Sequence, residues 1–134
     1  MSDTLHVSVL LEESIEALLS NESLGSPGKT YIDATLGLGG HSKKILSQIG
    51  PNDSLIGIDR DRENLFRAET FLRDDPKIDQ FHTFPGSFEQ LSEALASQGK
   101  SCLDGILYDL GVSSVHYDQG DRGFSIRSDG PLDM

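Results

Sequence analysis

A chain of 134 residues, 36% hydrophobic and 25% charged, fits one globular domain with its own core more than a disordered polymer. No apolar run approaches the length that spans a bilayer, and the first thirty residues lack the basic start and apolar centre of a signal sequence. The formal net charge of −11 weighs against a nucleic-acid partner unless a local patch or a further segment supplies the positive charge. Lys43-Lys44 is the only adjacent basic pair, and Arg122 and Arg127 are the only basic residues in the glycine-rich tail. The single cysteine, Cys102, rules out an internal disulfide; at the start of an apolar run it reads as a small buried hydrophobe in a reducing, cytoplasmic setting. No Cys/His cluster has zinc spacing, so no metal site is predicted.

The apolar periodicity over 7–19 predicts an amphipathic helix, followed by a turn or linker through Gly25, Pro27 and Gly28. Residues 30–34 read as a first strand and 42–49 as a helix, which Gly50-Pro51-Asn52-Asp53 stops. A second strand is expected over 54–59, and a helix over 62–72 with Leu65, Phe66, Ala68 and Leu72 on its apolar side. A third strand over 81–85, a helix over 88–97 and a fourth strand over 103–109 complete the alternation. Such alternation predicts an α/β fold: a parallel sheet with right-handed crossovers and helices on both faces. The domain reading is therefore 1–29 as leading helix and linker, 30–110 as a βαβαβαβ core and 111–134 as a loop on the substrate side. With only four strands and no closing element, the chain reads as the N-terminal part of something longer, its fourth strand an apolar edge.

The richest stretch is Asp33-Ala34-Thr35-Leu36-Gly37-Leu38-Gly39-Gly40-His41, with Asp59 twenty positions after Gly39 at the end of the second strand. Strand, glycine turn, helix and a strand ending in a carboxylate make one nucleotide-binding unit. The glycines let the backbone approach an adenosine-bearing ligand, and the acid accepts hydrogen bonds from ribose hydroxyls. Gly37 and Gly39 fill two positions of a dinucleotide fingerprint, but Ser42 stands where the third glycine belongs, which weakens a NAD-type oxidoreductase reading. Methyltransferases that use S-adenosylmethionine need no pyrophosphate grip and tolerate the looser spacing.

With these motifs the chain resembles the bacterial small-subunit ribosomal RNA cytosine-N4 methyltransferases, the RsmH (MraW) family. Four segments carry the likeness: His6 to Glu13, Tyr31 to Ser42, Asp104 to Ser114, and Arg122 to Met134. The last two together are the most specific. The resemblance implies a class I, Rossmann-like S-adenosylmethionine-dependent methyltransferase fold, of which this chain is the N-terminal half. By matching position it implies cofactor contacts at Gly39, Gly40, His41, Asp59, Phe88 and Asp109. In that reading Gly39 and Gly40 leave room for the methionine moiety, Asp59 holds the ribose and Phe88 offers an aromatic face to the adenine. Asp109 meets the methionine ammonium group or the incoming substrate and is the catalytic candidate. Two plainer roles stand beside these: His41 as a helix-start residue and Phe88 as core.

The family's proline and glutamine after Val-Ser-Ser are here Val115 and His116, so a cofactor contact at His116 rests on a different donor. The implied partner is small-subunit ribosomal RNA, presented within assembled subunits. The acid Asp109 is followed by Leu110-Gly111-Val112, which separates the chain from DNA amino-methyltransferases with their Pro-Pro-aromatic element. Two rivals remain: a NAD-type oxidoreductase, and a degenerate cofactor-binding module without catalysis.

Overall fold

The computed structural model describes residues 11–19 and 28–109. They form α1 (Leu11–Leu19), β1 (Thr30–Asp33), α2 (Gly40–Gln48), β2 (Ser54–Asp59), α3 (Arg62–Leu72), a 3-10 turn (Ile78–Gln80), β3 (Phe81–Pro85), α4 (Leu91–Ser97) and β4 (Gly105–Leu107). The strands make one parallel sheet in the order β3-β2-β1-β4. Ile32 of β1 lies opposite both Ile56 of β2 and Ile106 of β4, and Ile56 in turn lies opposite His82 of β3.

Strand periodicity sorts the side chains onto two faces. Tyr31, Leu55, Phe81 and Leu107 pack with Ile15, Ile45, Leu46, Leu65 and Leu72, so α1, α2 and α3 cover one face. Ile32, Ile56 and Ile58 pack with Ala94, Leu91 and Leu95, so α4 covers the other. The two central strands are buried on both faces, which explains why each reads as an unbroken apolar run. Each fully buried isoleucine contributes about 1.5–3 kcal/mol relative to exposure. Gly57 serves a close approach: a Cβ there would lie 2.8 Å from Leu36 Cδ1 and 3.1 Å from Phe81 Cε2, so a larger residue would force these packed side chains to shift.

The strand order fixes where a ligand can sit. β2 and β3 build out on one side of β1, and the chain then crosses by way of α4 to place β4 on the other. The carboxyl ends of β1 and β4 therefore flank the switch point where doubly wound sheets open a crevice.

Several element ends differ from the sequence reading. Of the predicted helix over 7–19, the structure describes Leu11–Leu19, and residues 7–10 lie outside the described part. Helix α2 begins two residues early, at Gly40, because Gly39 takes a left-handed conformation (φ 89°) and its carbonyl already accepts from Lys43 N–H at 2.9 Å. Helix α4 begins at Leu91 rather than Phe88, because Ser87 and Gln90 close a turn of their own: Gln90 Oε1 accepts from Ser87 N–H at 2.9 Å. Strand β4 keeps only three residues; it pairs with β1 alone, and no strand flanks its other edge among the described residues. Cys102 is exposed, since it sits in the coil leading to that edge strand and not inside it. Phe66 is 67% exposed: Leu65, Ala68 and Leu72 define the buried stripe of α3, and the next residue turns about 100° away from it. The predicted segment 111–134 lies outside the described residues.

Candidate active site

The carboxyl end of the sheet is built from the loop between β1 and α2 and from the residues that follow β2, β3 and β4. Its foundation is Asp33, the last residue of β1. Only 1% exposed, Asp33 accepts from Ser42 Oγ at 2.8 Å on one oxygen and from Thr35 N–H at 3.2 Å on the other. It thus ties the start of the glycine loop to the first turn of α2. Burial raises its pKa to about 6; the nearby negative charges of Asp109 and Asp59 add to the rise, against the two hydrogen bonds. The sequence reading passed over Asp33. Its signal was a carboxylate ending an apolar strand, and only the structure shows that the side chain turns inward.

Asp59 ends β2 on the other side of the loop. Its Oδ2 accepts from Gly37 N–H at 2.9 Å and from Asn64 Nδ2 at 3.3 Å, while Oδ1 accepts from Asp61 N–H at 2.8 Å. The residue expected to hold a ribose therefore also anchors the glycine loop to the start of α3. Asp61 in turn caps α3, accepting from Glu63 N–H at 3.0 Å. The loop after β3 joins the same cluster, with Gly86 N–H donating to the Asp59 carbonyl at 3.0 Å.

Asp109 closes the arrangement from the β4 side. Its N–H donates to Thr35 Oγ1 at 2.6 Å, which fixes its backbone to the loop while its side chain stays 51% exposed. His41, buried in the first turn of α2, brings Nδ1 to 3.9 Å from Asp109 Oδ2. Burial lowers the His41 pKa and the charge of Asp109 opposes that, so the ring is held neutral and the pair is not a salt bridge near neutral pH. His41 makes no side-chain cap; Gly39 stands at the N-cap position without one. Phe88 is 37% exposed and meets Tyr108 edge-on, centroids 5.9 Å apart and planes at 85°. It is not core.

The structure thus brings Gly39, Gly40, His41, Asp59, Phe88 and Asp109 to one end of the sheet, and His116 lies outside the described residues. Beside the predicted set it adds Asp33, Thr35 and Tyr108. Chemically, the carboxylates that face the glycine loop make an electronegative cradle. That set of acceptors fits a ligand bearing hydroxyls and positive charge, as S-adenosylmethionine does with its ribose, ammonium and sulfonium groups. It disfavours a pyrophosphate, and with it the NAD-type reading.

Comparisons with known proteins bear on the family of the chain. The chain is 49% identical over its whole length to the ribosomal RNA small subunit methyltransferase H of Trichlorobacter lovleyi, covering 41% of that protein. It is 47% identical over 129 residues to the protein of the same name from Idiomarina loihiensis, covering 38% of it. The chain therefore spans about two fifths of the length of these relatives. Among solved structures, an rRNA-methylase described as putative, from Clostridium thermocellum, superposes with a TM-score of 0.46 at 23% identity, over 48% of this chain and 36% of that one. The family model of the MraW methylases matches residues 3–134, and the chain belongs to that family.

Proposed function

We propose that the protein transfers a methyl group from S-adenosylmethionine to the exocyclic N4 amine of a cytosine in small-subunit ribosomal RNA, presented within assembled subunits. The observation that carries this reading is the convergence of Asp59 and Asp109 on one glycine loop, through Gly37 and Thr35. The names of the relatives supply the substrate class.

When bound, the cofactor supplies a methyl group already activated for in-line transfer, so the protein's task is alignment. Asp59 accepts hydrogen bonds from the ribose hydroxyls at the β2 end. Gly39 and Gly40 let the methionine moiety approach the start of α2, beside the neutral His41. Phe88 offers its face to the adenine. Asp109, its backbone pinned to Thr35, presents a carboxylate oxygen either to the methionine ammonium group or to the cytosine amine. In the second role it holds a poor nucleophile in attack geometry and takes up its developing positive charge. The target base leaves its stack to reach this depth. His116 is assigned a further hydrogen bond to the cofactor, and Arg122 and Arg127 a share of the RNA grip. With a net charge of −11, that grip depends on local positive residues of this kind and not on the overall charge of the chain.

Deleting the gene and digesting ribosomal RNA to nucleosides for mass spectrometry tests the reading. Loss of the N4-methylated cytidine signal, restored by the intact gene, is the expected result. An unchanged signal, with no second enzyme to account for it, overturns the substrate assignment.

A further inference from the structure

The aromatic pair at the carboxyl end of the sheet has a geometry that the strand order does not require. Phe88 follows β3 and Tyr108 follows β4, the outer strands of the sheet among the described residues, with β2 and β1 between them. At about 4.8 Å per strand, the ends of β3 and β4 lie roughly 14 Å apart. The rings nevertheless meet with centroids 5.9 Å apart, so the two side chains and the Phe88 turn reach toward each other over the ends of the central strands.

That turn is fastened rather than free. Gln90 Oε1 accepts from Ser87 N–H at 2.9 Å, Ser87 Oγ accepts from Glu89 N–H at 3.2 Å, and Gly86 N–H donates to the Asp59 carbonyl at 3.0 Å. The backbone carrying Phe88 is thus set by the Asp59 cluster, and the orientation of its ring by Tyr108. Both rings stay more than a third exposed, so each keeps aromatic surface open beside the Asp59 cluster.

We infer that Tyr108 is a positioning residue for the purine of the cofactor: its ring fixes the plane of Phe88, and the two together form the seat for adenine. The inference rests on the methyltransferase reading. A ribose held at Asp59 puts the base one glycosidic bond away, and the Phe88 turn is hydrogen-bonded to the backbone of that same residue. Neighbouring Asp109 has its backbone held by Thr35, so Tyr108 departs from a fixed point. A flat, π-rich partner matches the flat purine, and the edge-on contact leaves aromatic surface for it.

Calorimetric titration of the intact gene product with S-adenosylhomocysteine tests this. Removing the ring in Tyr108→Ala should weaken binding about fivefold, within the range that one edge-to-face aromatic contact supports. Tyr108→Phe should restore it, because the ring and not the hydroxyl does the positioning. Tyr108→Leu keeps the volume without the π-system and should resemble the alanine variant; it also serves if that variant fails to fold. The same proteins carrying 4-fluorophenylalanine, with the Phe88 resonance assigned through Phe88→Leu, report on the seat itself. Ligand should shift that resonance in the wild type and in Tyr108→Phe, and shift it much less in Tyr108→Leu. Wild-type affinity and shift retained in Tyr108→Leu overturn the role of Tyr108 and leave the methyltransferase reading standing. A wild type that binds no S-adenosylhomocysteine overturns both.

Discussion

The two ends of this sheet use the same chemistry to different effect. At the amino end, aspartates catch backbone N–H groups: Asp53 accepts from Lys29 and Gly50 at 2.8 Å each, and Asp104 accepts from Thr30 at 2.7 Å. There the carbonyls are met as well, since Gln80 Nε2 donates to Gly50 and Asp53 at 2.7 and 2.8 Å. Donors and acceptors of one surface answer each other, and the end is closed. At the carboxyl end Asp33, Asp59 and Asp109 also engage backbone N–H groups or tie down the loop, but they crowd negative charge around a glycine turn beside two half-open rings. The difference teaches that a carboxylate on a backbone N–H is not in itself a functional sign. What marks a site is a buried carboxylate with two others close enough to add to the rise of its pKa.

The sharpest way to break the comparison is pH. Asp33 has an ordinary pKa near 3.9 in the unfolded chain and about 6 in the fold, so the folded state holds the proton more tightly. Its stabilising contribution is therefore fully present below about pH 4 and is lost as the pH rises through about 6. Across that window the wild type should lose about 3 kcal/mol relative to Asp33→Asn, which does not titrate. Urea denaturation of both proteins at pH 4 and pH 7 measures it. A constant gap between them would mean that the buried acid carries no strain.

Next in size is an exchange between the two ends. Asp59→Ala should cost about 1.5–3 kcal/mol of S-adenosylhomocysteine affinity, through a lost charged acceptor. Asp53→Ala should lower stability by about 1–3 kcal/mol by orphaning two N–H groups, with affinity unchanged. Equal effects of both on calorimetric affinity would erase the distinction. The smallest effect separates two left-handed glycines. In Gly39→Ala the new Cβ lies 3.3 Å from Ala68 Cβ at φ 89°, whereas in Gly99→Ala, at φ 65°, it meets nothing within 4 Å. Both should lose about 1 kcal/mol to conformation, and Gly39→Ala somewhat more to the contact. Denaturation midpoints in the opposite order would show that the loop gives way at no cost.

How much of this was legible beforehand depends on what bounds each element. The limits of β2, α3 and β3 were readable to the residue; local chemistry sets the first two, through a Gly-Pro-Asn-Asp stop before β2, burial of β2 on both faces and an Asp61 cap on α3. The starts of α2 and α4 and the extent of β4 were not, since a left-handed glycine, a self-closed turn and pairing on a single side decide them. In the site, Gly39, Gly40 and Asp59 follow from the glycine turn and the spacing to the strand-end acid, whereas His41, Phe88 and Asp109 come from the family resemblance. Asp33, Thr35 and Tyr108 come from neither: an inward-turned acid, a hydroxyl accepting from a residue 74 positions away and a ring met across two strands are products of tertiary placement.

That separation of 74 residues between Thr35 and Asp109 sets an order of events in the growing chain. The glycine loop and Asp59 belong to a unit of near neighbours that forms early. β4 joins β1 through equally distant pairs, from Thr30–Asp104 to Asp33–Leu107. Non-local closure of this kind is slow relative to the local unit. During synthesis the glycine loop waits, at roughly 5–20 residues per second, for several seconds before its last wall emerges. A half-made chain thus carries the most recognisable motif of the protein without a crevice to go with it.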